Sequence, residues 1–307
     1  MKRLTKVLLF TAAILLSLNV TAQKALRYNL KVGQTYHLKQ STIQSIEQNV
    51  AGMSQNVKTT MGGDITVTVK EKNGNVYTSE VVFKSMLFKL EGPMMNMAYD
   101  SNDADADKTN PLNKTFDLMV GHLFQVKFDD RGNIQEVKGF ETISEKVVEA
   151  FSDNPQQAEM MKKQLANQFS NESMKGNLSN MFIIYPEEKV KVGSKWSNNK
   201  SIISPFEINN QYDFNVDEMN KEEVNLSGKG VMATKEGQTV QQMGMTQHIN
   251  LDGDFDFKAK VNAKSGWPIE IKINQNLDGN VAVESPQLPA PMEIPMKITG
   301  ELTYTGM

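Results

Sequence analysis

Three histidines, His37, His122 and His248, are the only imidazoles in the chain, and there is no cysteine. Each histidine stands alone in a strand-like segment. No HExxH or HxH pair brings two ligands to one face, so the spacing favours strand or core positions over a shared zinc site. Without cysteine there are no thiol nucleophiles, CxxC redox centres, zinc ribbons, iron–sulfur clusters or lipids attached through an N-terminal cysteine. No Gly-x-Ser-x-Gly is present either. The densest carboxylate cluster is Asp100, Asp103, Asp105 and Asp107, spaced as a calcium loop begins. Counted from Asp103, an EF-type loop requires glycine where Lys108 stands and a bidentate glutamate where Lys114 stands. The segment therefore reads as a solvated loop ending at Pro111, which leaves calcium only improvised carbonyl ligands.

Methionine is abundant, with 19 residues. Thioethers select soft ions such as copper(I). Here Met94, Met95, Met97, Met160, Met161, Met243 and Met245 fall in both strand-like and helix-like stretches, which suits a pliable apolar interior or binding surface better than a metal motif. Any two strands could present the two carboxylates of a glycoside hydrolase. Sugar clefts also need aromatic platforms, and both tryptophans, Trp196 and Trp267, sit in repeated segments where core packing explains them. The expectation is no catalytic residue, no cofactor and no metal site.

The chain begins with Lys2, Arg3 and Lys6, an apolar run from Val7 to Leu18, and Val20-Thr21-Ala22. This reads as a secretory signal peptide over 1–22, cleaved before Gln23; its apolar run is shorter than the roughly 20 residues a spanning helix needs. Without the leader, 33 − 3 leaves 30 basic side chains against 36 acidic, a net charge of −6. A mildly acidic chain with lysines scattered along alternating segments argues against nucleic acid, which demands a basic face. No later stretch is apolar enough for an integral membrane helix. The expected location is periplasmic or extracellular.

Elements that would position a site follow from periodicity. Ile65–Val69, Phe124–Phe128, Phe255–Val261 and Ile269–Ile273 alternate with period two, as antiparallel strands with one wet face do. Asn73-Gly74, Asp252-Gly253 and Asp278-Gly279 carry hairpin-turn chemistry, and Asp129–Asn133 reads as a slightly longer hairpin loop. From about Glu141 to Tyr185 the period changes to that of a helix. Ile143, Val147, Val148 and Phe151 form one stripe; Ala158, Met161, Leu165 and Phe169 a second, entered through Asn154-Pro155; Met174, Leu178, Met181 and Phe182 a third, with Gly176 as a weak point.

The flanks of this insertion resemble each other. Lys31-Val32-Gly33-Gln34-Thr35-Tyr36 matches Lys191-Val192-Gly193-Ser194-Lys195-Trp196 at an offset of 160. Ile65–Val69 matches Tyr212–Val216 at 147, and Gly132–Val137 matches Gly266–Ile271 at 134. The order is collinear, which points to a duplicated β unit, although any half-buried hairpins share the alternation.

The leader ending in Thr21-Ala22-Gln23, the early Lys31–Tyr36 step, Tyr99-Asp100-Ser101-Asn102, the Gly121 to Gly139 hairpin and the late Val192-Gly193-x-x-Trp196 together resemble a family of uncharacterised exported bacterial proteins, a domain of unknown function. The resemblance covers most of the chain. It implies a Gram-negative cell envelope and carries over no activity, cofactor or catalytic residue.

The expected fold is mainly β: an antiparallel curved sheet or open barrel built from two similar β-rich halves, 23–140 and 186–307. An amphipathic helical insertion of about 141–183, within 141–185, packs on the concave face. The expected function is a non-catalytic envelope protein binding a lipid or other apolar ligand between sheet and helices, similar in outline to lipoprotein-carrier and lipocalin-like arrangements. Phe124, Phe128, Phe151, Met161, Leu165, Phe169 and Phe257 are the candidate lining. The alternatives are a structural or protein-interaction module with envelope protein partners, and a carboxylate hydrolase.

Overall fold

The structure is a computed structural model that describes residues 23–50, 52–93, 95–104, 110–150, 170–203, 206–242, 245–286 and 290–306, with Gln156 and Glu159. The expected leader, the second helical stripe, and Asp105 and Asp107 lie outside the described residues.

The first half holds β1 (Thr35–Val50), β2 (Met53–Asn73), β3 (Val76–Phe83), β4 (Leu87–Glu91), β5 (Asn96–Asp100), α1 (Pro111–Met119), β6 (Leu123–Asp129) and β7 (Ile134–Lys138). Helices α2 (Phe140–Ala150) and α3 (Asn171–Ser179) follow. The second half holds β8 (Lys195–Ile203), β9 (Glu207–Met219), β10 (Glu223–Thr234), β11 (Thr239–Gln242), β12 (Met245–Asn262), β13 (Pro268–Glu284) and β14 (Met292–Gly306). The 14 strands among the described residues join one antiparallel sheet whose main path runs β7-β6-β3-β2-β1-β14-β13-β12-β10-β9-β8, with β4, β5 and β11 attached off that path. The sheet is therefore two five-stranded meanders of the same order, β1-β2-β3-β6-β7 and β8-β9-β10-β12-β13. Strand β14 pairs with β13 on one side and β1 on the other, and so welds the halves together.

The likeness of the two meanders extends to single hydrogen bonds. Gly33 and Gly193 both take positive φ, 84° and 82°, which L side chains avoid. Gly33 N donates to Val69 O and Gly193 N to Val216 O, both at 2.8 Å. Val69 N returns a bond to Gln34 O and Val216 N to Ser194 O, both at 3.0 Å. These partners stand at the offsets of 160 and 147 read from the sequence, and they fix the start of each meander.

The alternating segments form the strands expected of them, and their inward positions make the core. Leu38, Val67, Tyr77, Phe124, Val126 and Phe128 are all wholly buried, each large side chain contributing about 1.5–3 kcal/mol relative to exposure. Two turns are corrected. Asp252-Gly253 and Asp278-Gly279 are not hairpin tips: they lie mid-strand, with Asp252 opposite Asp278 across β12 and β13. A Cβ on Gly253 would lie 1.9 Å from Asn276 O, and one on Gly279 2.1 Å from Asn250 O. The glycines admit a close backbone approach where the curved sheet bends.

Within the insertion, α2 buries Ile143 and Val147, while α3 buries Met174 and Leu178; Met181 and Phe182 are buried just beyond its end. At Pro111, where the loop was expected to end, α1 begins; this helix, not anticipated from the sequence, buries Phe116 and Met119, with the Phe116 ring against Phe88 of β4 and Tyr99 of β5. Asn110-Pro111 was its start signal, a polar residue before proline at the first helical position.

Candidate functional site

The sheet's path ends at β7 and β8, and no ladder joins these two edges among the described residues. Helix α3 lies against both edges and, with residues 180–186, fills the seam. The helix starts at Ser170, whose Oγ accepts from Ser173 N at 3.1 Å. Gly176, expected to weaken the helix, is its point of closest approach to β8: a Cβ there would come within 2.9 Å of Ile202 Cγ2.

Strand β8 reaches this filling with side chains. Trp196, Asn198 and Lys200 share one face of the strand, two residues apart. Trp196 Nε1 and Asn198 Nδ2 both donate to Ile184 O, at 3.1 and 2.9 Å, and Lys200 Nζ donates to Ser179 O at 2.5 Å, in the last turn of α3. From the first half, Arg131 Nε donates to Tyr185 O at 2.8 Å and Tyr185 N to Arg131 O at 2.9 Å. The seam is thus closed largely by side-chain-to-backbone bonds.

Behind it lies an apolar cavity of about 40 Å³ lined by Phe182, Ile183, Ile184, Tyr212, Phe214, Phe257, Ala259, Ile271 and Ile273, with Asn180, Asn198 and Lys200 at its polar end. Lys200 is half-buried, with its ammonium 5.9 Å from the Tyr212 ring centroid. Among the described residues no carboxylate pairs with it. Burial pushes its pKa down to about 7, because desolvation penalises the charged form. Burial likewise pushes the Tyr212 phenol up to about 12.

Of the candidate lining residues, Phe257 faces this cavity, 4.8 Å from Phe214 between ring centroids. Phe128 reaches it only through Phe182, at 4.7 Å, and Phe124 stacks on Phe140 of α2 at 4.0 Å, in a separate aromatic group. Phe151, Met161, Leu165 and Phe169 lie outside the described residues. Lys200 and Asn198 escaped the sequence reading because mid-strand β8 is polar in both phases: Ser197, Asn199 and Ser201 alternate with them, and only the flanking Trp196 and Ile202 mark the inward face.

The histidines are apart. His122 packs on Phe124 at 4.8 Å and bonds Gly139 O at 3.0 Å; His248 Nε2 lies 3.2 Å from Glu284 Oε1; His37 is exposed on β1. No cluster of three or more His, Asp or Glu side chains able to hold a metal occurs among the described residues. Asp100 and Asp103 border an open polar cleft of about 670 Å³ with Lys89, Tyr99, Asn102 and Asn113. No helix among the described residues is long and apolar enough to cross a membrane.

Fold and seam together define a class: an open, curled antiparallel sheet of two similar meanders, with a helix set between its free edges. The chain belongs to a family of unknown function, DUF6263, which matches residues 74–268. A search of curated proteins finds no significant match. Among solved structures, one reported as lipid–protein interactions in lipovitellin is similar over 89% of this chain and 25% of its own, at 8% identity and a TM-score of 0.47. The chain thus spans a quarter of that protein. The outer membrane protein OprG from Pseudomonas aeruginosa is similar over 90% of this chain and 97% of its own, at 6% identity and a TM-score of 0.26. For the COG4313 outer membrane channel from Pseudomonas putida F1 the values are 91%, 97%, 8% and 0.23. Likenesses this loose bear on no function.

Proposed function

We propose that the protein is an exported, non-catalytic component of the cell envelope that holds an apolar or amphipathic ligand between its sheet and the seam helix. The observation that carries this reading is the cavity behind α3, with aromatic and aliphatic walls and a polar end of two amides and one lysine. That is the composition of a ligand site: mostly apolar, with a few polar groups that orient. The leader-like residues 1–22 and the family resemblance support export.

At about 40 Å³ the cavity holds a water rather than an acyl chain. A ligand therefore enters by displacing α3 and residues 180–184. The seam is suited to this, because the side chains of Trp196, Asn198 and Lys200 can release the filling while the strand ladders stay whole.

A structural or protein-interaction module is the competing reading, favoured by the dense ring packing around Tyr28, whose centroid lies 5.2 Å from Tyr185 and 5.5 Å from Phe182. One experiment decides between them: native mass spectrometry of gently purified protein, followed by displacement of a fluorescent fatty-acid probe. Co-purified lipid or saturable, displaceable probe binding is expected; the absence of both leaves the scaffold.

A further inference from the structure

We infer that Lys200 is the head-group anchor of this site and that the ligand is a single-chain aliphatic carboxylic acid, whose carboxylate takes the place of Ser179 O on the lysine. The inference rests on the binding role proposed above and names the ligand class.

Four observations converge on it. The Lys200 amine has no carboxylate partner among the described residues, so a proton on it leaves a charge uncompensated at the mouth of an apolar cavity, and such a charge calls for an anion. Its one hydrogen-bond acceptor is a neutral backbone carbonyl, Ser179 O. An ionised oxygen is the stronger acceptor, so the exchange is favourable. The Asn180 side-chain amide lines the same polar end and has no hydrogen-bond partner among the described residues, which supplies a second donor for a two-oxygen head. Beyond them Phe214, Phe257, Ile271 and Ile273 offer only hydrocarbon, the surface an alkyl chain needs.

The charge count narrows the class to a monoanion. A single lysine balances a monoanion, whereas a phosphate monoester carrying roughly two charges would leave one unpaired in a half-buried site. Binding also has a structural consequence. The N–H that fastens the end of α3 to β8 is the one the carboxylate takes, so head-group capture and loosening of the seam are one event.

The test compares dodecanoate with dodecan-1-ol, below their micelle-forming concentrations, on the full mature chain and on Lys200→Met. The intact chain should bind dodecanoate at least about tenfold more tightly than the alcohol. In Lys200→Met the two affinities should converge near that of the alcohol. Equal affinities in the intact chain, or a preference surviving in Lys200→Met, would overturn the anchor and leave the apolar site standing; no binding of either probe would overturn both. Should Lys200→Met not fold, the intact chain gives the answer by calorimetry at about pH 8.5 in two buffers of different ionisation enthalpy. A lysine that is largely neutral when free must gain a proton on pairing. Of the groups around it, Tyr212 stays neutral at that pH and Glu207 is held ionised by Lys235, while Glu172, Lys175 and Asp252 complete the set among the described residues. Uptake approaching one proton per dodecanoate, and none for dodecan-1-ol, is expected; no uptake with dodecanoate contradicts the anchor.

Discussion

Gly176 of α3 faces Ile202 of β8 so closely that an added methyl would come within 2.9 Å of Cγ2, with Ile203 N at 3.1 Å. Helix propensity alone would have any side chain but proline here stabilise the helix, by up to about 1 kcal/mol. The packing demands the opposite. Gly176→Val should destabilise the protein by about 1–3 kcal/mol, the usual cost of overfilling a packed contact. Chemical denaturation checks it, and a more stable variant would show that α3 does not seat against β8.

Gly33 and Gly193 test the duplication. Each has positive φ and open space where a Cβ would point, so alanine there meets backbone strain and nothing else. The cost of that strain is about 1–2 kcal/mol. Equivalent turns should pay it equally: Gly33→Ala and Gly193→Ala should each lower stability by that amount, and the double variant by the sum, since the sites share no partners. Unequal losses, with one turn indifferent, would mean that the matched hydrogen bonds do not reflect matched roles.

How much of this was legible beforehand divides along physical lines. Strands such as Phe124–Phe128 and Phe255–Val261 could be read because one phase is apolar and the other wet, and the three collinear matches anticipated the two meanders. Asp252-Gly253 and Asp278-Gly279 misled because the same glycine that permits a tight turn also permits a close backbone approach inside a bent strand. The seam was hidden for another reason. Its polar groups come from a strand with polar residues in both phases, and their partners, Ser179 O and Ile184 O, are backbone atoms that no side-chain pattern announces. An α3 of nine residues adds little periodicity to help.

Tyr28 offers a check on how the seam filling is tied to the first half. Its hydroxyl accepts from Ile183 N at 3.0 Å in the filled seam, and its own N–H donates to Asp130 O, in the β6–β7 loop, at 2.7 Å. Tyr28→Phe keeps the ring contacts and removes the acceptor, leaving a buried amide unpaired. The expected loss is about 1–3 kcal/mol. Hydrogen exchange at Ile183 should accelerate in parallel; an unchanged exchange rate would place that amide outside the cooperative core.

Lys200 makes the last prediction, a pH dependence whose sign is fixed by burial. In the unfolded chain the lysine titrates near its ordinary value of 10.5, and in the folded protein burial pushes it down to about 7. Between those values the unfolded chain holds a proton that the folded one has lost, so stability rises with pH across that window and is flat for this group below it. Two neighbouring influences lie outside the window. Tyr212, pushed up to about 12, keeps a proton in the folded state that the unfolded chain loses above 10, so it lowers stability only at higher pH. Glu207, held below the usual carboxylate range by Lys235 and Ser201, contributes stability that is lost only as pH falls through the acid range. Chemical denaturation at about pH 7 and about pH 9 should therefore show a more stable protein at the higher pH, and Lys200→Met should remove most of the difference. A wild-type slope of the opposite sign, or one that Lys200→Met leaves intact, would show that the ammonium is well solvated, and an ammonium already in water has little reason to capture a head group.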